Sequence, residues 1–480
     1  MRSETAPPAI DDVRRLDPRA WIVGAFREFA ALIAVAVTAL AIGGFGTGVY
    51  FALVALGFGV VHQAVRWLTF TYTVRTDRIE LRRALVGRSV KTIPIERIRG
   101  VDITAGLAHR LLGLAVVRID AAAGGDEGVL DAVSRREAMR LRTLLLPSGA
   151  DPEDHVLARA ESAWLRYAPL SGAYLLTPFA LAGSALGTLY NLGDEFGLIS
   201  TGTMTHLGDR VVGLPRGLVL AVFAVLVLAM PLASVVVFAL FNWDFTLRAD
   251  GPGSVVAERG LLTRRTVTLE RRRIRGVELR DNPLERVAGV VRLTALVTGL
   301  GDAEHRGTLF PTAPRSAALA VAAEVTGPRP GPLVPHPPAA RTRRLTRAVG
   351  PPLALAAVAL FTGPSWLAVA ALLASVAAVP LGLDRHRQLG HATDGFRLTF
   401  RSGSLTRRQQ IIEHPAVVGW KLRQSLFQRR AGLATLTVAV GAGGGAYDAL
   451  DLAAEDALRL AGTVTPGWVT PFLADRRPEA

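Results

Sequence analysis

The 480-residue chain has no cysteine. That excludes disulfides, thiolate metal sites, thioether haem attachment and cysteine nucleophiles. Lysine is almost absent as well: of 55 basic residues, only Lys91 and Lys421 are lysines. So heavy a bias to arginine, beside abundant Ala, Gly and Val, carries the mark of GC-rich codons, and a lone arginine is weak evidence of function. The chain also lacks a G-x-x-x-x-G-K-[ST] loop, H-E-x-x-H, G-x-S-x-G and an EF-hand loop. The nine histidines are scattered, and His386 and His391 have no companions at metal-ligand spacing. Gly441–Gly445 lacks the G-x-G-x-x-G spacing and a following helix start, so it reads as a turn. With no acid–base or nucleophilic group set, no catalytic, metal or cofactor site is expected and the chain reads as a non-enzyme. Residues 1–20 are polar and carry Asp11, Asp12, Arg14, Arg15 and Asp17, which is not the pattern of a cleaved signal peptide.

What is present is apolar sequence in blocks. Half the residues are hydrophobic and the mean hydropathy is +0.33, but the distribution matters more than the total. A membrane-crossing helix needs about 20 mainly apolar residues. Six stretches are expected to meet that need: about 26–45, 49–68, 168–190, 217–241, 349–361 and 366–383. They form three hairpins. The fifth is short, with Pro351 and Pro352 at its start, and a re-entrant or interfacial segment is its alternative. The turns at 43–48 and 362–365 carry no charge, whereas Arg66, Arg75, Arg248, Arg341, Arg343, Arg344, Arg347, Arg385 and Arg387 flank the other side. The positive-inside rule then predicts a multi-pass protein with both termini and all large segments in the cytoplasm. Trp21, Trp67, Trp243 and Trp366 sit at block edges, where amphipathic rings anchor in the headgroup region. The blocks lack central ionisable residues, which weighs against a transporter or proton relay.

Three other segments repeat one pattern. Ile95–Val117 (IERIRGVDITAGLAHRLLGLAVV), Glu270–Val291 (ERRRIRGVELRDNPLERVAGVV) and Glu413–Leu436 (EHPAVVGWKLRQSLFQRRAGLATL) each hold two glycines separated by twelve residues. The pairs are Gly100 and Gly113, Gly276 and Gly289, and Gly419 and Gly432. An arginine precedes each second glycine by three: Arg110, Arg286 and Arg429. Upstream, ALVGRSVKTIP from Ala84, GLLTRRTVTLE from Gly260 and SLTRRQQIIE from Ser404 correspond. The glycines are expected to be structural, serving turns and bulges. Alternating apolar and polar residues predict strands at Tyr72, Phe245 and Phe396, at Arg88 and Arg265, and over Leu114–Ile119 and Leu433–Val440. Helices are predicted over Ser134–Leu146, Ser316–Val325 and Ala449–Leu460. Strands followed by one packed helix make a small α+β domain.

The run I-P-I-E-R-I-R-G-V, then L-A-H-R-L-L-G-L-A-V-V-R-I, resembles the bacterial PH-like domain family of YdbS- and YdbT-type membrane proteins, with three hairpin-plus-domain units as in the YdbT type. The resemblance implies a fold of about six spans in three hairpins plus three α+β PH-like domains, each a bent antiparallel barrel with a C-terminal helix. The chain then divides into an N-terminal segment (1–20), hairpin 1 (21–68), domain 1 (69–147), a linker (148–167), hairpin 2 (168–241), domain 2 (242–326), a Pro/Arg-rich linker (327–348), hairpin 3 (349–383), domain 3 (384–465) and a tail (466–480).

PH-like scaffolds serve many binding roles, so the resemblance leaves activity open. The expected function is a non-enzymatic scaffold in the bacterial plasma membrane whose cytoplasmic domains bind protein partners or lipid headgroups. The alternative is a component of a transport, export or antimicrobial-resistance system. Candidate contacts with headgroups or partners are Arg82, Arg83, Arg264, Arg265, Arg271, Arg272, Arg273, Arg275, Arg407 and Arg408. Near an anionic leaflet each would contribute about 1 kcal/mol. Solvated strand edges, where charge blocks unwanted pairing, are the competing reading. Expected partners are the bilayer, anionic lipids and a smaller one-unit membrane protein of the YdbS type. Nucleic acid is not expected, because the basic clusters lack interleaved aromatics.

Overall fold

The computed structural model describes residues 13–20, 67–84, 88–121, 128–145, 154–171, 215–250, 253–298, 307–328 and 331–469, with a few single positions elsewhere. The chain forms two compact units, Met1–Glu270 and Arg271–Ala480. Their boundary falls inside the second repeat.

In the first unit, β1 (Val13–Arg15), β2 (Phe70–Val74), β3 (Arg78–Ala84) and β4 (Arg88–Pro94) form an antiparallel sheet in that order. A 3-10 turn, Ile95–Arg97, leads to β5 (Ile98–Ala105). Helix α1 (Leu107–Leu111), β6 (Leu114–Ala121), β7 (Gly128–Ser134) and helix α2 (Arg135–Leu145) complete the first copy. Ile79, Leu81 and Ile93 share one core with Val117, Ile119 and Leu130, closed by Ala138, Leu141 and Leu145 of α2. That is the apolar face the spacing of α2 predicts. Burying each of its leucines stabilises by roughly 1.5–3 kcal/mol. The second copy opens with β8 (Asp154–Arg159), helix α3 (Arg216–Asn242), β9 (Thr246–Asp250), β10 (Ser254–Arg259) and β11 (Arg264–Glu270). Its strands join those of the first copy in one seven-stranded sheet, ordered β7-β6-β5-β11-β10-β9-β8.

In the second unit, β12 (Ile274–Asp281), helix α4 (Pro283–Val287), β13 (Val290–Val297), β14 (Thr308–Pro314) and helix α5 (Arg315–Thr326) complete the second copy. Helices α6 (Pro338–Thr362) and α7 (Ser365–Arg387) follow, then β15 (Gly390–Thr393), β16 (Arg397–Ser402), β17 (Arg407–Glu413) and β18 (Val417–Arg423). Helix α8 (Leu426–Arg430), β19 (Leu433–Val440), β20 (Ala446–Ala453) and helix α9 (Ala454–Val464) complete the third copy. One sheet runs β14-β13-β12-β17-β16-β15 and another β18-β19-β20. Leu398, Phe400 and Ile412 pack with Leu436, Val438, Leu452 and the α9 residues Ala457 and Leu460.

Two expectations are corrected here. Among the described residues the four sheets are open and none closes into a barrel. In the first two copies the edge strands β5 and β12 pair with β11 and β17 of the next copy. Nor do the described residues bear six spans. Two helices of the described residues, α6 and α7, are long and apolar enough to cross a membrane. The expected spans over 26–45, 49–68 and most of 168–190 lie outside the described residues. That over 217–241 falls on α3, a 27-residue helix within which the continuous stretch of described side chains is Val227–Asn242. A smaller difference concerns Ala449–Leu460. Strand β20 extends to Ala453 and the helix starts at Ala454, because the alternating burial of Tyr447, Ala449 and Leu452 against the core keeps this stretch extended.

The repeated residues have repeated jobs. Gly100, Gly276 and Gly419 each sit at a β-bulge, where the register shifts between them and Ile98, Ile274 and Val417. Gly113, Gly289 and Gly432 follow the short helices with φ of +71, +69 and +65°, the left-handed region open to glycine. Their carbonyls accept from the amides of Arg135, Arg315 and Ala454, so each short helix is tied to the start of the long one.

Segments preceding the hairpins also join the sheets. β1 pairs with β2, β8 pairs with β9 in the stretch read as a linker, and Val334 bridges His391. Each time the chain leaves a sheet edge and returns to it. In the third hairpin α6 and α7 pack through small residues. Ala348, Ala356 and Ala359 are buried with Ala368, Ala371, Ser375, Ala378 and Gly382. A Cβ on Gly382 would lie 3.1 Å from Leu345 Cα, the close helix approach that small residues allow.

Candidate anion site at the base of the helix pair

A cavity of about 390 Å³ lies where α6 begins and α7 ends. Arg344 and Arg347, one turn apart on α6, and Arg385 of α7 line it. The β16–β17 hairpin adds Ser402, Gly403, Thr406 and Arg408, and Leu389 and Leu450 supply the apolar wall. Gly403 has φ +97°, and a Cβ there would strike the Thr406 carbonyl, so the tight turn that presents Thr406 and Arg408 requires glycine.

Charge in the cavity is one-sided. Arg344 reaches Asp451 at 2.5 Å, and Arg343 holds the other oxygen of the same carboxylate at 2.9 Å. Asp451 is buried, has φ +58° and also accepts from Gln428 Nε2 at 2.7 Å. It therefore fastens the start of α6 to the third copy. Arg347, Arg385 and Arg408 have no carboxylate partner among the described residues, and Nε of Arg344 is buried without an acceptor. Guanidinium groups are geometrically suited to phosphate or carboxylate oxygens. A cleft lined by one sign of charge concentrates the opposite sign.

Beside the cavity is a buried histidine pair. His391 Nδ1 lies 3.3 Å from His336 Nε2, and His336 Nδ1 lies 2.9 Å from the Leu450 carbonyl. Burial, then the neighbouring His391, pushes His336 down to about 4. Burial lowers His391 as well. The pair is neutral at ordinary pH and tethers the proline-rich linker to β15 and β20. His386 takes no part in it. Among the described residues no group of three or more His, Asp or Glu could hold a metal ion.

The arginine candidates fall into several places. Arg408 alone of them lines the cavity. Arg265 pairs with buried Asp102 at 2.7 Å, and Arg407 Nε with buried Asp281 at 2.9 Å, both across the joints between copies. Arg82 meets Glu80 at 3.0 Å and Arg264 meets Glu258 at 3.1 Å. Arg271 faces Glu324 at 3.8 Å and Arg275 faces Glu413 at 3.9 Å. Arg272 is exposed in the 3-10 turn Arg271–Arg273, and the Arg273 carbonyl accepts from Thr298 N at 3.1 Å. Arg83 occupies β3, and its side chain is not among those described.

The motif arginines act at the same joints: Arg110 donates to the Leu261 carbonyl and Arg286 to that of Ser404, equivalent turns of the following copy. Arg429, the third, is exposed. Sequence reasoning treated Arg344, Arg347 and Arg385 only as orientation signals. The spacing of Arg344 and Arg347 on one helical face was the clue to more.

The bacterial PH domain model matches three stretches, 24–148, 201–327 and 351–465, most of the chain and one per repeat. The chain belongs to this family. It is similar to the UPF0699 transmembrane protein YdbT of Bacillus subtilis (strain 168), 24% identical over 278 residues, which are 53% of this chain and 56% of the relative. The chain thus spans about half the length of the curated relative it matches. No solved structure matches.

Proposed function

We propose that this bacterial PH domain protein is a non-catalytic membrane-anchored binding protein whose third copy holds an anionic phosphate-type headgroup in the arginine-lined cavity. The observation that carries this reading is the set Arg347, Arg385 and Arg408: three guanidinium groups around one cavity without a carboxylate partner among the described residues, at the end of an apolar helix pair. In this reading α6 and α7 cross the bacterial cell membrane. Their arginine-bearing ends face the cytoplasm and the uncharged Gly363–Pro364 turn lies on the other side, as the positive-inside rule requires. The strand-rich copies are then cytoplasmic, and the cavity opens at headgroup depth, where anionic lipid attracts each arginine by about 1 kcal/mol.

The test is native mass spectrometry of the full chain in nanodiscs containing phosphatidylglycerol, comparing wild type with Arg385→Ala/Arg408→Ala. The double variant loses bound anionic lipid, whereas Arg459→Ala, which only faces Asp456 on α9, retains it. Equal lipid occupancy in both variants defeats the reading. Titration with inorganic phosphate separates a headgroup from a free anion: binding of phosphate in detergent without lipid retention in nanodiscs favours the latter.

A further inference from the structure

The repeat supplies three equivalent strand edges, of which two are paired with a following copy among the described residues. β5 pairs with β11, and β12 pairs with β17. Both joints have one register: Gly100 faces Leu269, and Gly276 faces Ile412. At both, the glycine lets the next copy's backbone approach. An added Cβ at Gly100 would lie 3.3 Å from the Thr268 carbonyl oxygen, and one at Gly276 would collide with that of Ile411. At both, the motif arginine clamps the turn of the following copy. The third edge, β18, pairs only with β19 among the described residues. The nearest atom to a Cβ on Gly419 is Ala439 Cβ at 3.9 Å. Arg429, the clamp, is exposed. The third copy therefore keeps the shape of the docking edge, and among the described residues nothing docks on it.

Its charge is reversed. Two residues after the motif glycine, β5 carries Asp102 and β12 carries Glu278, whereas β18 carries Lys421. Asp102 accepts from Arg265, and Glu278 from Gln410 at 3.0 Å. Lys421 and Arg423 are exposed. The strand equivalent to β11 and β17 is β4, which pairs only with β3 among the described residues. Aligning RSVKTIP with RRTVTLE and RRQQIIE makes Ile93 the counterpart of Leu269 and Ile412. In the shared register, β4 of a second copy would set Lys91 directly opposite Lys421. These are the chain's only two lysines. Like charges directly opposed destabilise an antiparallel pair, and edge lysines are a known guard against unwanted strand addition.

We infer that β18, with Arg429, is a docking edge for an antiparallel edge strand from a PH-like sheet of another polypeptide, one bearing a carboxylate opposite Lys421. Lys91 and Lys421 keep copies of this chain from filling that edge with one another. The joint repeats the two internal ones with its ion pair inverted.

The experiment uses the full chain in detergent, with Lys91→Glu as the probe, because it presents a PH-like edge strand carrying the required carboxylate. Labelled Lys91→Glu protein is titrated with unlabelled wild type and followed by fluorescence anisotropy and light scattering. Lys91→Glu binds wild type at least about tenfold more tightly than wild type binds itself, the effect of turning one opposed like-charge pair into an attractive one. Arg429→Ala in the unlabelled protein weakens that binding. Lys421→Glu alone and, at high concentration, Lys91→Glu alone form head-to-tail multimers, and Lys91→Glu/Lys421→Glu returns to the wild-type size, which also reports that the charge-swapped chains are folded. Three results overturn the inference: no gain in binding by Lys91→Glu, multimers that persist in the double variant, or wild-type protein that already associates through Arg429.

Discussion

The joint between β5 and β11 and the joint between β12 and β17 share their register but not their chemistry. The first rests on Asp102, which receives two hydrogen bonds from Arg265 at 3.0 and 2.7 Å. The second places its principal acid three residues further along, at Asp281, with Arg407 at 2.9 Å and Arg286 and Arg315 both at 3.5 Å. The position equivalent to Asp281 in the first joint is Ala105, which pairs with Arg264 in the ladder. Backbone register and the glycine bulge thus specify how copies join, while the charge pairs vary around that frame. The bulge does so because a one-residue slip would turn every side chain of the strand to the wrong face.

The largest break is expected at Asp281. Asp281→Ala leaves three guanidinium groups around a buried, empty position and destabilises the second unit by about 3–5 kcal/mol, the range for a buried pair that loses one partner. Asp102→Ala, which strands one arginine that is partly exposed, has a smaller effect on the first unit. Chemical denaturation followed by hydrogen exchange at β12 and β5 measures both, and equal losses would show that the two joints weigh the same.

Acid separates the copies next. His336 is protonated near pH 6.5 when unfolded and only near 4 when folded. Stability from the neutral His336 is therefore present above pH 6.5 and is lost as pH falls from there to about 4, up to about 3 kcal/mol. Amides of β15 and β20 lose exchange protection across that window while those of β2 and β3 do not. His336→Gln reduces the difference, leaving the part that comes from buried His391.

Glycine substitutions probe the bulges directly. Gly276→Ala forces a Cβ into the Ile411 backbone and destabilises by about 2–3 kcal/mol, as overpacking does. Gly100→Ala, with its contact at 3.3 Å, has a weaker effect, and Gly419→Ala almost none. Thermal melts of the three variants order them. The smallest effect belongs to the motif arginine: Arg286→Ala loses its bonds to Asp384 and the Ser404 carbonyl, whereas Arg429→Ala changes stability by less than about 0.5 kcal/mol, as for an exposed side chain away from such features.

Much of this architecture was legible in the residues. The paired glycines and the arginine three before the second one announced the repeat. Alternation located β6 and β19, and helical spacing located α2. The cavity was not legible, because Arg344 and Arg347, Arg385, and Arg408 come from three separated elements. A sequence records that each is basic and not that they converge. Arg265 and Arg407 look like surface charge until the following copy places them against Asp102 and Asp281.

Local sequence determined what each segment becomes. Periodicity set strand or helix, glycine with positive φ set the turns after α1, α4 and α8, and length with hydropathy set α6 and α7 apart. Tertiary structure alone decided which edges meet. A strand's hydrogen-bonding edge is nearly sequence-independent, so β5 could as well have closed its own copy. The outcome rests on packing between whole copies, where the bulged glycine admits a neighbour's backbone and a distant carboxylate meets its arginine.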